Sequence, residues 1–111
     1  MRRACLSLVC VLIGAAAPAR DTDLVRYTIS FPDPASKTFT VQMTVPTGGQ
    51  PSVDLMMPVW SPGFYGLQNY AARVTAFSAR AGDGAALDVA RPADNRWTIT
   101  TGHTSTFTAT V

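Results

Sequence analysis

The sequence predicts an all-β domain, either an antiparallel β-sandwich or a saddle-like sheet, with about seven short strands. Two observations support this prediction. Apolar and polar residues alternate over several short segments, which is the period of a strand with one buried face. Turn residues, mainly Gly, Pro, Asp and Asn, interrupt these segments at a spacing of about ten residues, which is typical of sandwiches and barrels.

Residues 1–19 have the features of a secretory signal peptide. Two arginines open the chain after Met1, residues 4–17 are apolar, and Ala17-Pro18-Ala19 offers small residues to signal peptidase. A membrane helix needs about 20 apolar residues, so a retained anchor is the weaker hypothesis. Cleavage after Ala19 predicts a periplasmic or secreted protein without a membrane segment.

Removal of residues 1–19 changes the cysteine content and the net charge of the chain. Both cysteines, Cys5 and Cys10, leave with the leader, so no internal disulfide is possible. The remainder keeps seven Lys and Arg residues against seven Asp, which gives a net charge near zero. That balance does not indicate a nucleic-acid-binding protein. Residues 20–111 are enough for one small domain.

The first three strands are predicted from their alternation. Residues 25–31 and 39–45 each place apolar side chains on one face, and a turn at residues 32–37 predicts that the two strands form an antiparallel hairpin. A dense turn signal at residues 46–51 precedes a third, more continuously apolar strand at residues 53–57.

The next segment, residues 73–80, is ambiguous between a short helix and a strand. We favour a strand because Thr75, Ser78 and Gly82 leave a helix short and poorly capped. Asp83-Gly84 then predicts a tight turn, with a return strand at residues 87–89.

The last two strands are predicted at residues 96–100 and 104–111, after a turn at residues 92–95. The seventh strand should carry Phe107, Ala109 and Val111 on one side. Because its pattern continues to the last residue, the sequence predicts a domain that is incomplete at its C-terminus.

Residues 57–70, between the third strand and the ambiguous segment, form an unusual loop. They contain two prolines, two glycines and four aromatic residues: Trp60, Phe64, Tyr65 and Tyr70. Pro62-Gly63 predicts a turn rather than a helix. Each large aromatic side chain can remove roughly 150–250 Å² from water. We therefore expect either the domain itself or a partner surface to cover this loop.

The residues available for catalysis are few. The sequence has one histidine and no glutamate, and a catalytic zinc site needs three protein ligands. His103 is predicted to be a solvated turn residue, and nothing places it beside Ser61 as a triad requires. We predict no catalytic residue, no metal site and no cofactor in this chain.

Several segments resemble the N-terminal domain of the glycyl aminopeptidase family of zinc metallopeptidases. The similar segments are residues 57–65, Asn69-Tyr70-Ala71, Arg73-Val74, Phe77-Ser78-Ala79, Asp83-Gly84 with Leu87, and Asn95-Arg96-Trp97. The resemblance implies a β domain followed by a thermolysin-like catalytic domain that carries the zinc, and often by a PDZ domain. It also implies that this chain lacks the zinc site and is inactive alone. Gln68-Asn69 departs from the family pattern, in which an acidic residue is common.

The composition of the loop and the family resemblance together predict a role for each of its main residues. Trp60 and Trp97 are expected to be core anchors, and Pro62 and Gly63 to form a turn. The candidates for substrate or interdomain contact are Phe64, Tyr65, Gln68, Asn69 and Tyr70.

Two functions remain open on the sequence alone. The first is a non-catalytic N-terminal β domain of an exported zinc aminopeptidase-like protein, which packs against the missing catalytic domain and shapes its peptide-binding cleft. The alternative is a stand-alone periplasmic module that binds a peptide or a carbohydrate. An interdomain loop predicts that Phe64 and Tyr65 are exposed in this chain by itself.

Overall fold

The computed structural model describes residues 24–111. The predicted signal peptide, residues 1–19, lies outside the described residues. The described part contains seven strands: β1 Arg26–Ser30, β2 Thr40–Pro46, β3 Ser52–Met56, β4 Ser78–Ala81, β5 Val89–Ala93, β6 Arg96–Thr100 and β7 Thr106–Thr110. Two short 3-10 helices, Pro34–Ser36 and Tyr70–Arg73, complete it. The predicted all-β class is confirmed.

The strands form two antiparallel sheets. A four-stranded sheet has the order β1-β2-β7-β4, and a three-stranded sheet has the order β3-β6-β5. The predicted β1–β2 hairpin is confirmed, with Tyr27 opposite Met43 and Ile29 opposite Val41. β7 lies inside the larger sheet, where it pairs with β2 and β4. The arrangement is that of a small open sandwich.

The core consists of apolar side chains from both sheets and from the 3-10 helix Tyr70–Arg73. The buried apolar residues are Val45, Ala71, Ala79, Trp97, Ile99, Phe107 and Ala109. In β6 and β7 every second side chain is buried, as the alternation predicted. The ring of Phe77 stacks on that of Trp97, with the centroids 5.1 Å apart and an interplanar angle of 12°. Trp97 is therefore a core anchor, as expected.

The predicted burial of one face of β1 is wrong. Val25, Tyr27, Ile29 and Phe31 are between 47% and 66% exposed. β1 is the edge strand of the four-stranded sheet, and the smaller sheet leaves its apolar row uncovered. The alternation thus predicted the strand correctly, whereas burial depends on an opposing layer that the alternation cannot specify.

The predicted strand at residues 73–80 begins later than expected. Tyr70–Arg73 is a 3-10 helix and β4 starts only at Ser78. The tight turn at Asp83-Gly84 is present, with Gly84 at a φ of +89°. The predicted return strand is present only as a short pairing with β4, in which the nitrogen of Leu87 donates to the oxygen of Ala79 at 2.9 Å and Arg80 pairs with Ala86. From Val89 onward the chain forms β5, which pairs with β6 in the other sheet. β5 also includes Pro92, which has no main-chain N–H group. An edge strand tolerates proline where the missing N–H would face away from the neighbouring strand.

Two buried threonines close one end of the sandwich. The hydroxyl of Thr47 donates to the main-chain oxygen of Thr104, and the hydroxyl of Thr101 donates to that of Gln50. These hydrogen bonds join the β2–β3 turn to the β6–β7 turn. They satisfy polar groups that would otherwise be costly to bury.

His103 lies at the same end. Its side chain is exposed, its φ is +64°, and its Nδ1 atom lies 2.8 Å from the main-chain oxygen of Gly49. The histidine thus adds a third link between the two turns.

Within residues 24–111, no helix has the length and apolar character needed to cross a lipid bilayer.

Candidate functional site

The loop of residues 57–70 is fixed at its start by Asn95. The main-chain nitrogen of Met57 donates to the main-chain oxygen of Asn95 at 2.9 Å, and the Asn95 side-chain amide donates to the Met57 oxygen at 3.0 Å. Asn95 lies in the β5–β6 turn, so this contact joins positions 38 residues apart. The sequence predicts only a turn at residues 92–95. No local sequence signal identifies a contact over that separation.

A second hydrogen bond closes the loop. The main-chain nitrogen of Gln68 donates to the oxygen of Val59 at 2.8 Å. Inside this closure, the nitrogen of Phe64 donates to the oxygen of Ser61 at 3.2 Å, and Gly63 has a φ of +85°. Pro62 and Gly63 thus occupy the two central positions of a β-turn, with glycine where a type II turn requires a positive φ.

The end of the loop is an exposed apolar surface, which we call the apolar tip. Its members are Val59, Trp60, Phe64, Tyr65 and Leu67. Tyr65 is 91% exposed, Leu67 is 82% exposed and Phe64 is 55% exposed. The expected exposure of Phe64 and Tyr65 is observed, and their role in binding stays a prediction.

Trp60 belongs to this exposed surface and not to the core. Its side chain is 46% exposed, whereas Trp97 is 5% exposed. The expectation that Trp60 is a core anchor is therefore corrected. The physical reason is that Trp60 follows β3 into a loop that leaves the space between the two sheets.

The ring of Phe64 lies close over the backbone of Gly66. A Cβ atom placed on Gly66 would lie 2.9 Å from Cε1 of Phe64. Because Gly66 has no side chain, the Phe64 ring can pack against the main chain of the loop at this position. More than half of the Phe64 side chain is nevertheless exposed to solvent.

The remaining predicted contact residues follow the tip in the sequence. Gln68 is half-buried beside the closing hydrogen bond. Asn69 is exposed and precedes the 3-10 helix, but its side chain makes no capping hydrogen bond there. Tyr70 is half-buried and lines a cavity. Of the five predicted contact residues, Phe64 and Tyr65 thus belong to the tip and Tyr70 lines the cavity. Gln68 and Asn69 lie between them in the sequence.

The cavity lies at the base of the loop and has a volume of about 410 Å³. Met57 and Tyr70, the two ends of the loop, both line it. The other apolar lining residues are Phe39, Val41, Val74 and Val111, and the polar ones are Lys37, Thr38, Arg73 and Thr75. Sequence reasoning missed this cavity, because its walls come from separate segments of the chain.

The exposed row of β1 continues into this cavity. Ile29 is opposite Val41 in the β1–β2 ladder, and the ring of Phe31 contacts that of Phe39 at a centroid distance of 5.9 Å. Val41 and Phe39 are both cavity residues. The apolar row and the cavity therefore form one continuous surface.

The described residues do not fit a zinc site. Between residues 24 and 111, no group of three or more His, Cys, Asp or Glu side chains is placed to hold a metal ion. The lone His103 lies at the turn end of the sandwich and bonds to Gly49. No catalytic step can be derived from a metal at these residues.

Comparison with known proteins supports the predicted resemblance. Residues 26–111 match the family model of the Peptidase M61 N-terminal domain. No curated protein matches the chain.

One solved structure is similar, an aminopeptidase N family protein from Idiomarina loihiensis. The TM-score is 0.57 and the identity is 24%, over 65% of this chain and 12% of that one. At that identity the likeness concerns the fold, and this chain spans only 12% of the other protein's length. The family match covers well over half of the present sequence. The chain therefore belongs to the Peptidase M61 N-terminal domain family.

Proposed function

We propose that this chain is the non-catalytic N-terminal β domain of an exported zinc aminopeptidase-like protein. In this proposal it packs against a catalytic domain and shapes the peptide-binding cleft of that domain. The observation that carries the proposal is the apolar tip, where Phe64, Tyr65 and Leu67 are all more than half exposed. Large apolar side chains exposed together in one loop are typical of interaction sites.

The tip has the composition and rigidity of an interface. Aromatic residues are enriched in protein interfaces, where they supply large contact areas. The β-turn at Pro62-Gly63, the Gln68–Val59 hydrogen bond and the Asn95 contacts hold the loop in one conformation. A loop that is already ordered loses little conformational entropy on binding, which favours association.

The zinc of such a protein would be held by the catalytic domain. This chain would supply the surface beside the cleft. Export would place the protein in the periplasm or outside the cell, and residues 1–19 would direct it there.

The first test is the gene sequence beyond the codon for Val111. A downstream reading frame that encodes His-Glu-x-x-His is the expected result, since this motif places two zinc ligands on one helix face. A natural stop codon at that point would contradict the proposal for this gene.

The second test measures association with that catalytic domain. Phe64→Ser should weaken co-purification, whereas Met56→Ser should not, because Met56 is equally exposed at 55% but lies in β3 away from the tip. Equal binding by both variants would show that the tip is not the interface.

The alternative, a stand-alone module for peptide or carbohydrate, is favoured by one observation. The cavity of about 410 Å³ falls within the range of roughly 300–1,000 Å³ found for small-molecule sites. Ligand binding by the chain without any catalytic domain would support this alternative.

A further inference from the structure

We infer that Arg91 is a positioning residue for the apolar tip, and that it acts through the β5–β6 turn and Asn95. This inference deepens the proposed function, and it rests on that function only in giving the tip a binding role. Three observations support it: a bulge in β5, the conformation of the β5–β6 turn, and the hydrogen bonds that join this turn to the loop.

A β-bulge directs Arg91 toward Trp97. The register of β5 against β6 shifts between Ala90 and Ala93. Arg91 and Pro92 consequently lie opposite the single residue Trp97. Bulges of this kind change the direction of a side chain. The Arg91 guanidinium carbon lies over the Trp97 ring, 5.1 Å from its centroid. Because Trp97 is buried in the core, its ring gives the exposed arginine a fixed position by a cation–π contact.

From that position Arg91 supports the β5–β6 turn. Its Nε and Nη2 atoms both donate to the main-chain oxygen of Asp94, at 3.1 and 2.5 Å. Ala93 pairs with Arg96, so the hairpin loop consists of Asp94 and Asn95 alone. Two-residue hairpin loops favour turns with a positive φ, which match the twist of the strands. In the described chain Asp94 and Asn95 are not among the residues with a positive φ. This turn therefore needs support from outside its two residues, and Arg91 supplies it.

The supported turn holds the start of the loop. The oxygen of Asp94 belongs to the same planar peptide unit as the nitrogen of Asn95, so Arg91 fixes the orientation of that unit. Asn95 in turn accepts a hydrogen bond from the Met57 nitrogen and donates one to the Met57 oxygen. A rotation of the peptide unit would move both of these groups. The position of Met57, and of the loop that follows it, thus depends on Arg91.

The test is amide hydrogen exchange on the full chain. Arg91→Gln should raise the exchange rates of the Met57, Phe64 and Gln68 amides about fivefold, the change that corresponds to the loss of one hydrogen bond. The amide of Thr47, which donates to the oxygen of Ser105, should keep its rate. Because Arg91 is exposed, the melting temperature should change little.

Arg80→Gln is the matched control. Arg80 is also exposed, and its Nη1 atom also donates to a main-chain oxygen of a turn, that of Gly84 at 3.1 Å, but this turn does not contact Met57. The control should leave the three loop amides unchanged. Arg91→Lys keeps a cation beside Trp97 but loses the paired donors of the guanidinium, so its exchange rates should lie between those of the wild type and Arg91→Gln.

A double variant distinguishes positioning from general stability. With Asn95→Ala already present, Arg91→Gln should add clearly less to loop exchange than it does alone, because both changes act on one connection. Full additivity would overturn the inference, as would unchanged loop exchange in Arg91→Gln and Arg91→Lys, an equal rise in Arg80→Gln, or a uniform rise that includes Thr47. These measurements need no catalytic domain, so their failure is distinguishable from failure of the proposed interdomain role.

Discussion

The side-chain amide of Asn95 donates to the main-chain oxygen of Met57 at 3.0 Å, while the Met57 nitrogen donates back to the Asn95 oxygen at 2.9 Å. A turn between β5 and β6 thereby fixes the first residue of a loop that precedes it by almost forty positions. The loop is consequently held by the sandwich rather than by its own sequence alone.

Replacement of Asn95 by Ala should release the loop. The loss of one half-buried hydrogen bond costs about 1 kcal/mol, which lowers the melting temperature by about 4–8 °C for a domain of this size. Amide hydrogen exchange at Phe64 and Gln68 should become faster. Asp94→Ala, in the same turn, is the control and should have little effect on either measurement. Equal losses in both variants would assign the effect to the turn rather than to the Met57 contact.

The two tryptophans should differ sharply in their effect on stability. Trp97→Ala removes a buried ring that stacks on Phe77, and such truncations cost about 3–5 kcal/mol. Trp60→Ala should lower the free energy of unfolding clearly less than Trp97→Ala does, because 46% of the Trp60 side chain is already exposed. Urea denaturation followed by circular dichroism gives both values. A large loss for Trp60→Ala would place this ring in the core after all.

Two glycines of the loop form a matched pair. Gly63→Ala should destabilise the fold by about 1 kcal/mol or more, because its φ of +85° is unfavourable for residues with a Cβ atom. Gly66→Ala should be nearly neutral for stability, since the added methyl group meets only the ring of Phe64, which is free to move. Thermal unfolding of the two variants gives the comparison. A larger loss for Gly66→Ala would mean that the Phe64 ring is held in place.

The threonine pair at the turn end should be sensitive to loss of the hydroxyl. Thr47→Val and Thr101→Val keep the shape but remove the hydrogen bonds to the main-chain oxygens of Thr104 and Gln50, which are part-buried, at a cost of about 1 kcal/mol each. Thr44→Val is the control, since its hydroxyl is 3.5 Å from that of Thr108 and can contribute only a weak hydrogen bond. Denaturant titration should show a clear loss for the first two variants and little change for the control.

The alternation of apolar and polar residues was sufficient to predict the positions of most strands. The alternation predicted β2, β3, β6 and β7 to within one or two residues, because a strand with one covered face has a period of two. It failed for the burial of β1, where the exposed Tyr27 and Ile29 have the same pattern as a buried row. It also failed for residues 73–80, where Tyr70–Arg73 forms a 3-10 helix.

The loop of the candidate site could be predicted from local sequence, whereas the cavity at its base could not. Pro62-Gly63 is a local turn signal, and the aromatic residues around it indicated a surface that needs covering. The cavity combines Lys37, Met57, Arg73 and Val111, which only the fold brings together.

The interior position of β7 has a consequence for the order of assembly. β4 lies at the sheet edge with β7 as its only neighbour in the four-stranded sheet, and Thr108 of β7 faces Thr44 of β2 across 64 residues of chain. The β1–β2 hairpin can form early, but the larger sheet cannot close until residues 106–110 have left the ribosome. Long-range pairings of this kind slow folding, so the domain should complete its fold only after it has been synthesised.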